Sequence, residues 1–301
     1  MFGFFTHVFT QALVLVFLGA ASYSDLKTRE VPDFLSYGMI ASGLGLRVLY
    51  GIIFGVWQVP IEGIIGGAVF LLLGTLLFYT GQWGGGDSKL LCGTGVFIGF
   101  PLTLTSVPPL VLFIIFVFVF GALYGIIWSL LLAIRHWKRF IALYREELSK
   151  LLFLRLAALG ATALLLALSF FWRGDFLSYL FLACGALVFF SFYLVVGLRA
   201  VENAAMIKPV PIEKLTEGDW IVEDVMIDGK RICGPSDLGI EEAQIKKLKE
   251  LKKHKKIETV LVKEGIPFVP SFLFAFVGVV IFYSPLMNLL NPAGFLALLY
   301  R

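Results

Sequence analysis

Eight apolar runs constrain this chain more than any other feature. They lie at roughly 4–23, 34–56, 60–80, 88–105, 108–134, 152–172, 177–198 and 268–290. A helix rises about 1.5 Å per residue, and the bilayer hydrocarbon core is about 30 Å thick. Some 20 apolar residues therefore complete a crossing. The expected fold is an all-α polytopic membrane protein of about eight transmembrane helices. Composition excludes a large water-surrounded core: 59% of the 301 residues are hydrophobic and 15% charged, against about a quarter charged in soluble domains. The first run starts almost at Met1 without a basic segment before it and is read as a retained span rather than a removed signal peptide. The fourth is short and rich in glycine. Pro101 to Pro109 reads as a turn, because Pro108-Pro109 is costly inside a helix.

The charges are clustered, and their sign sets an orientation. Basic residues cluster at Lys27 and Arg29, at Lys89, from Arg135 to Arg155, and from Arg199 to Lys263. If the N-terminus is outside, all four clusters fall in the cytoplasm, as the positive-inside rule requires. Only Arg47, Arg173 and Arg301 then lie toward the other side. The expectation is a multi-pass protein of the cytoplasmic membrane, with the bilayer as one partner. Net charge is +4, but no basic stripe with interleaved aromatics points to nucleic acid. Cys92, Cys184 and Cys233 form no C-x-x-C pair, so no metal site is expected.

The runs and charges divide the chain into five segments. Residues 1–134 hold membrane helices. Residues 135–151 are too charged to span, yet Phe140, Leu143, Tyr144, Leu148 and Leu151 recur at helical spacing, which predicts an interfacial or cytosolic helix. Residues 152–203 hold two more membrane helices, and 268–301 the last helix and tail. Between them, 204–267 reads as a small α+β insert. It has a strand from Trp220 to Ile227, a turn at Asp228-Gly229, a strand from Lys230, a helix following Ile240 and a strand at Thr259–Lys263.

Acids near membrane depth are costly and mark function by default. Asp25, Glu30, Asp33, Glu62, Asp87 and Asp175 are the candidates. Asp175 beside Arg173, Glu30 beside Arg29, and Glu62 at the start of the third run read as solvated or helix-start charges. Asp25 and Asp87 differ. Asp25 ends the first run and Asp87 opens the fourth, so the orientation puts both at the cytoplasmic face. Two carboxylates that approach each other cannot both ionise. One then takes a proton from water while the other polarises a scissile carbonyl. Gly84, Gly85 and Gly86 allow a close backbone approach and offer unpaired groups to an unwound substrate. The plainer reading is a flexible loop ending in a helix-capping Asp. A phosphate loop is excluded by the missing G-x-x-x-x-G-K-[ST] pattern.

The stretches D-L-K-T-R-E-V-P-D (Asp25 to Asp33) and G-G-G-D-S-K-L-L (Gly84 to Leu91) resemble the type IV prepilin peptidase family of GxGD aspartic proteases. The likeness is greatest to its archaeal prepilin and preflagellin branch. Gly265 to Leu273 is similar to that family's Pro-Phe-rich approach to the last helix. The resemblance implies that Asp25 and Asp87 are a catalytic pair. It implies removal of a short basic leader from prepilin-like precursors, such as pilins or archaellins, at the cytoplasmic face. Lys27, Asp33 and Lys89 match motif positions. The two lysines either tune the aspartates, hold their geometry or anchor the chain at the membrane, and Asp33 either serves the site or simply starts the second helix. Bacterial members that also N-methylate carry paired C-x-x-C motifs, which this chain lacks. The expectation is a peptidase without methylation and without a cofactor. Two alternatives stand beside it. One is a protease of the presenilin or signal-peptide-peptidase kind, against which the missing Pro-Ala-Leu speaks. The other is a transporter or scaffold, which would favour acids at mid-membrane.

Overall fold

A computed structural model describes residue 5 and residues 7–103, 107–227, 229–253 and 257–290. The chain forms two compact units, residues 1–126 with 265–301, and residues 127–264.

The first unit is built from α1 (Val8–Thr28), α2 (Asp33–Phe54), α3 (Gln58–Tyr79), α4 (Gly85–Ile98), the first part of α5 (Pro109–Arg135) and α10 (Val269–Leu290). Among the described residues of the whole chain, seven helical stretches are long and apolar enough to cross a membrane. Four are α1, α2, α3 and α5, and a fifth is 269–287 in α10. The other two are 152–171 and 176–206.

The fourth run forms a helix shorter than its expected 88–105. α4 has 14 residues, about 21 Å of rise, and stops where Gly99 takes φ +75° ahead of Pro101. The next residues are held at Glu62, near the start of α3. The Phe100 N–H donates to the Glu62 carbonyl at 2.8 Å, and the Leu102 N–H to Glu62 Oε1 at 3.2 Å. Leu90 to Ile98 are all buried, so α4 faces protein rather than lipid and needs no lipid-length apolar surface. That burial depends on glycines. A Cβ at Gly66 would collide with the Gly95 carbonyl oxygen, and one at Gly67 would come within 2.6 Å of Val96 Cγ2. Small residues at such spacing let two membrane helices touch backbone to backbone.

Arg47 closes the same packing at the far end. It is 2% exposed. It donates to the Val59 carbonyl at 2.7 Å and the Phe97 carbonyl at 2.9 Å. Gly63 and Gly99 leave the space its side chain fills. The sequence placed Arg47 on the outer face as an orientation charge; in the fold it is a buried tie between α2, α3 and α4.

The second unit holds the rest of α5, then α6 (Trp137–Lys150), α7 (Leu152–Phe171) and α8 (Phe176–Val201). α6 buries no residue. α7 and α8 form a hairpin tied at its turn, where Ser178 Oγ donates to the Ser169 carbonyl at 2.9 Å. The polar segment before α10 contains β1 (Ile207–Pro211), β2 (Trp220–Ile221), β3 (Val225–Ile227), β4 (Lys230–Cys233), α9 (Glu242–Lys253) and β5 (Thr259–Lys263). The expected strand 220–227 is split between two sheets. β2 joins the sheet β1-β5-β2, and β3 pairs antiparallel with β4. The expected turn residue Asp228 lies outside the described residues; Gly229 has φ +75°. β1 carries Pro209 and Pro211, which hide a strand from sequence reading. It lies at a sheet edge, where proline is tolerated. Ile221, Ile240, Leu248, Val260 and Val262 belong to this segment's own buried core.

Candidate active site

Asp25 sits in the last turn of α1 with only 6% of its surface exposed. α1 ends at Arg29, which adopts a left-handed conformation (φ 63°) and donates its N–H to the Asp25 carbonyl at 2.9 Å. Non-glycine residues seldom take that conformation. Here it turns the chain into the loop before α2. Ser24 Oγ fixes that loop by donating to the Glu30 carbonyl at 3.0 Å. The Asp25 carboxylate reaches the start of α10. Its Oδ2 accepts the backbone N–H of Val269, the first residue of α10, at 2.9 Å. A carboxylate suits that place, because a helix start presents unpaired N–H groups and the positive end of the helix dipole.

Asp87 is the third residue of α4 and is half-buried. Its Oδ2 accepts the Gly84 N–H at 3.1 Å, closing the helix start. Ser88 pins this end of α4 by donating to the Gly74 carbonyl at 2.8 Å. Of the three glycines, Gly86 has the clearest steric reason. A Cβ there would come 3.2 Å from Val31 Cβ. Val31 precedes Pro32-Asp33, so the loop after Asp25 rests on the helix start that carries Asp87. The two acids lie near enough that the charge of Asp25 acts on Asp87.

The other sequence candidates separate. Lys89 Nζ is 2.6 Å from Asp33 Oδ1 and lies 5.3 Å from the centre of the Tyr37 ring. This pair ties the start of α2 to the start of α4 beside the site. Lys27 is exposed, 6.0 Å from the centre of the Tyr23 ring. Glu62 lies at the far end of α3, holding the returning chain. Asp175 is exposed at the start of α8.

Three residues near the acids escaped sequence reading. Trp83 is buried and packs on Phe268 and Phe272 with ring centres 5.3 and 5.2 Å away. Val269 contributes a backbone N–H, which leaves no trace in sequence. Tyr124, on α5, has a buried hydroxyl that feels the charges of Asp25 and Arg29. Among the described residues no group of His, Cys, Asp and Glu is placed to hold a metal ion.

Residues 12–126 match the type IV leader peptidase family. Two curated relatives are preflagellin peptidases. That of Methanococcus voltae is 34% identical over 87 residues, 29% of this chain and 37% of the relative. That of Methanocaldococcus jannaschii is 37% identical over 78 residues, 26% of this chain and 33% of the relative. The chain thus spans about a third of either relative's length. No solved structure matches. Asp25, Asp33, the three glycines, Asp87 and Lys89 all lie inside the matched stretch, so the likeness to the type IV leader peptidase family covers the residues of the candidate site.

Proposed function

We propose that this protein is a membrane aspartic endopeptidase that removes the basic leader from prepilin-like precursors, such as preflagellins. One observation carries the reading: two carboxylates from distant parts of the sequence lie within electrostatic reach of each other at one end of a helix bundle. Asp25 and Asp87 then share protons as a coupled pair. The ionised member takes a proton from water, and that water attacks the scissile carbonyl. The protonated member hydrogen-bonds the carbonyl oxygen and hands over its proton as the tetrahedral carbon forms. Collapse of that intermediate breaks the C–N bond, and the leaving amine receives a proton from the pair. No metal or cofactor takes part.

Gly84, Gly85 and Gly86 border the pair with backbone that carries no side chains. They suit a precursor strand unwound just before its apolar helix. The Lys89–Asp33 pair holds the α4 start against the α2 start, which keeps Asp87 in place. Lys27 anchors the chain at the membrane surface.

In this reading the N-terminus is outside, and the Asp25–Asp87 end of the bundle faces the cytoplasm, where precursor leaders are presented. α4 with the stretch to Thr103 counts as a crossing. It travels along α3 from Gly74 back to Glu62, so the alternation of the basic loops is kept. The new N-terminus of the product stays unmethylated.

The test uses the full chain in liposomes and a precursor with a basic leader and an apolar helix. Asp25→Asn and Asp87→Asn each abolish cleavage while leaving thermal unfolding near wild type. Cleavage at the normal rate by either variant removes the aspartic mechanism. Product mass reports methylation directly.

A further inference from the structure

The lead-in to α10 lies about 140 residues beyond the matched stretch, yet it provides the N–H that holds Asp25. Helix starts leave backbone N–H groups without partners inside the helix. At α10 these can be followed one by one. Val269 donates to Asp25 Oδ2 at 2.9 Å. Pro270 has no N–H to place. Ser271 donates both its N–H, at 2.9 Å, and its hydroxyl, at 2.6 Å, to the Phe268 carbonyl. Asp25 therefore caps α10 from another helix, and the cap fixes one of its two carboxylate oxygens.

The same turn reaches the second acid through aromatic rings. Phe268 lies 5.3 Å from Trp83, and Trp83 precedes Gly84, whose N–H holds Asp87. Phe272, one turn into α10, lies 5.2 Å from Trp83 and is fully buried. α5 seats the Phe268 ring from another side: a Cβ at Gly121 would come within 2.7 Å of it. A path of direct contacts thus runs from Asp25 through Val269, Phe268, Trp83 and Gly84 to Asp87.

We propose that the α10 lead-in, Phe268-Val269, is a positioning element of the catalytic centre: the Val269 N–H orients the Asp25 carboxylate, and Phe268 with Trp83 keys it to the start of α4, which carries Asp87. This rests on the reading of Asp25 and Asp87 as the catalytic pair. The structural basis is a placement of reacting oxygens, and errors near 1 Å in such placement cost about 100-fold in rate.

Val269→Pro tests it. Proline is favoured at the first helical position and carries a ring methylene where Val269 has its N–H, so α10 keeps its start and Asp25 loses its donor. The expected result is a kcat lower by about 10–100-fold, with KM within about twofold of wild type. A variant with unchanged kcat per folded molecule, whatever its thermal stability, overturns the proposal. A second measurement needs neither catalysis nor that variant. In Asp25→Ala, hydrogen exchange at the Val269 amide is at least about tenfold faster than in the parent chain, since a buried N–H has lost its acceptor. Equal exchange overturns the proposal. The two readings fail separately: active Asp25→Asn or Asp87→Asn removes the peptidase mechanism, while the exchange result stands on its own.

Discussion

Gly66→Ala is the smallest substitution that this fold should not tolerate. A methyl at Gly66 collides with the Gly95 carbonyl oxygen and would lie 2.8 Å from Gly99 Cα and 3.0 Å from the Gly99 carbonyl carbon. All three obstacles are backbone, so no side chain can swing aside. Restoring ordinary contact needs α3 and α4 to part by about 0.5–1 Å, and overpacking of this kind costs about 1–3 kcal/mol. The displaced helix carries Asp87. A shift of that size in a reacting group costs on the order of 100-fold in rate. The expected outcome is therefore a folded but less stable protein whose precursor cleavage falls about 10–100-fold, although Gly66 lies far from both acids. Gly19→Ala is the control, since nothing lies within 4 Å of a Cβ at that position. It should leave cleavage unchanged. The assay is leader removal in liposomes, paired with thermal unfolding in detergent. If Gly66→Ala cleaves and melts like the parent, α4 does not rest on α3 through its glycines, and the account of how Asp87 is placed fails.

Two further outcomes follow from named contacts. Arg47→Ala leaves the Val59 and Phe97 carbonyls without their donors inside the bundle and opens a cavity, so it should cost about 3–5 kcal/mol in unfolding experiments. A cost below about 1 kcal/mol would show that Arg47 is not a structural tie. In the polar segment, burial opposes the charge on Asp237, but bonds from Arg231 and the Gly234 N–H prevail and hold its carboxyl below the usual range. A depressed carboxylate contributes stability that is complete above its unfolded value of about 3.9 and is lost as pH falls through the folded one. Hydrogen-exchange protection of the β3–β4 pair should hold from neutral pH to about 5 and drop below about 4. Arg231→Gln should flatten that drop, and a drop that survives the substitution unchanged would assign it to other groups.

The sequence made the membrane helices legible because apolar length is a direct physical requirement of a bilayer. It made the acids legible because carboxylates near a membrane are costly and stand in recognisable company. What it could not make legible is how those acids are held. α4 was overextended because its apolar character reads as lipid contact, whereas its neighbours are protein and its end is set by the backbone at Gly99. Arg47 reads as an orientation charge because a lone Arg within an apolar run usually snorkels toward water. Only the space left by Gly63 and Gly99 turns it inward. β1 escaped because its prolines speak against a strand everywhere except an edge. Val269 escaped for a deeper reason. Its contribution is a main-chain N–H, which nearly every residue possesses, and only the arrival of α10 beside α1 gives it a role. The acids are thus encoded as side chains, but their geometry is encoded as glycines where backbones must touch and as helix starts where a backbone must donate. Substitutions that spare both aspartates should therefore separate into two groups. Those that alter a glycine contact or a helix start should lower cleavage by about 10–100-fold, and those on lipid-facing positions should not.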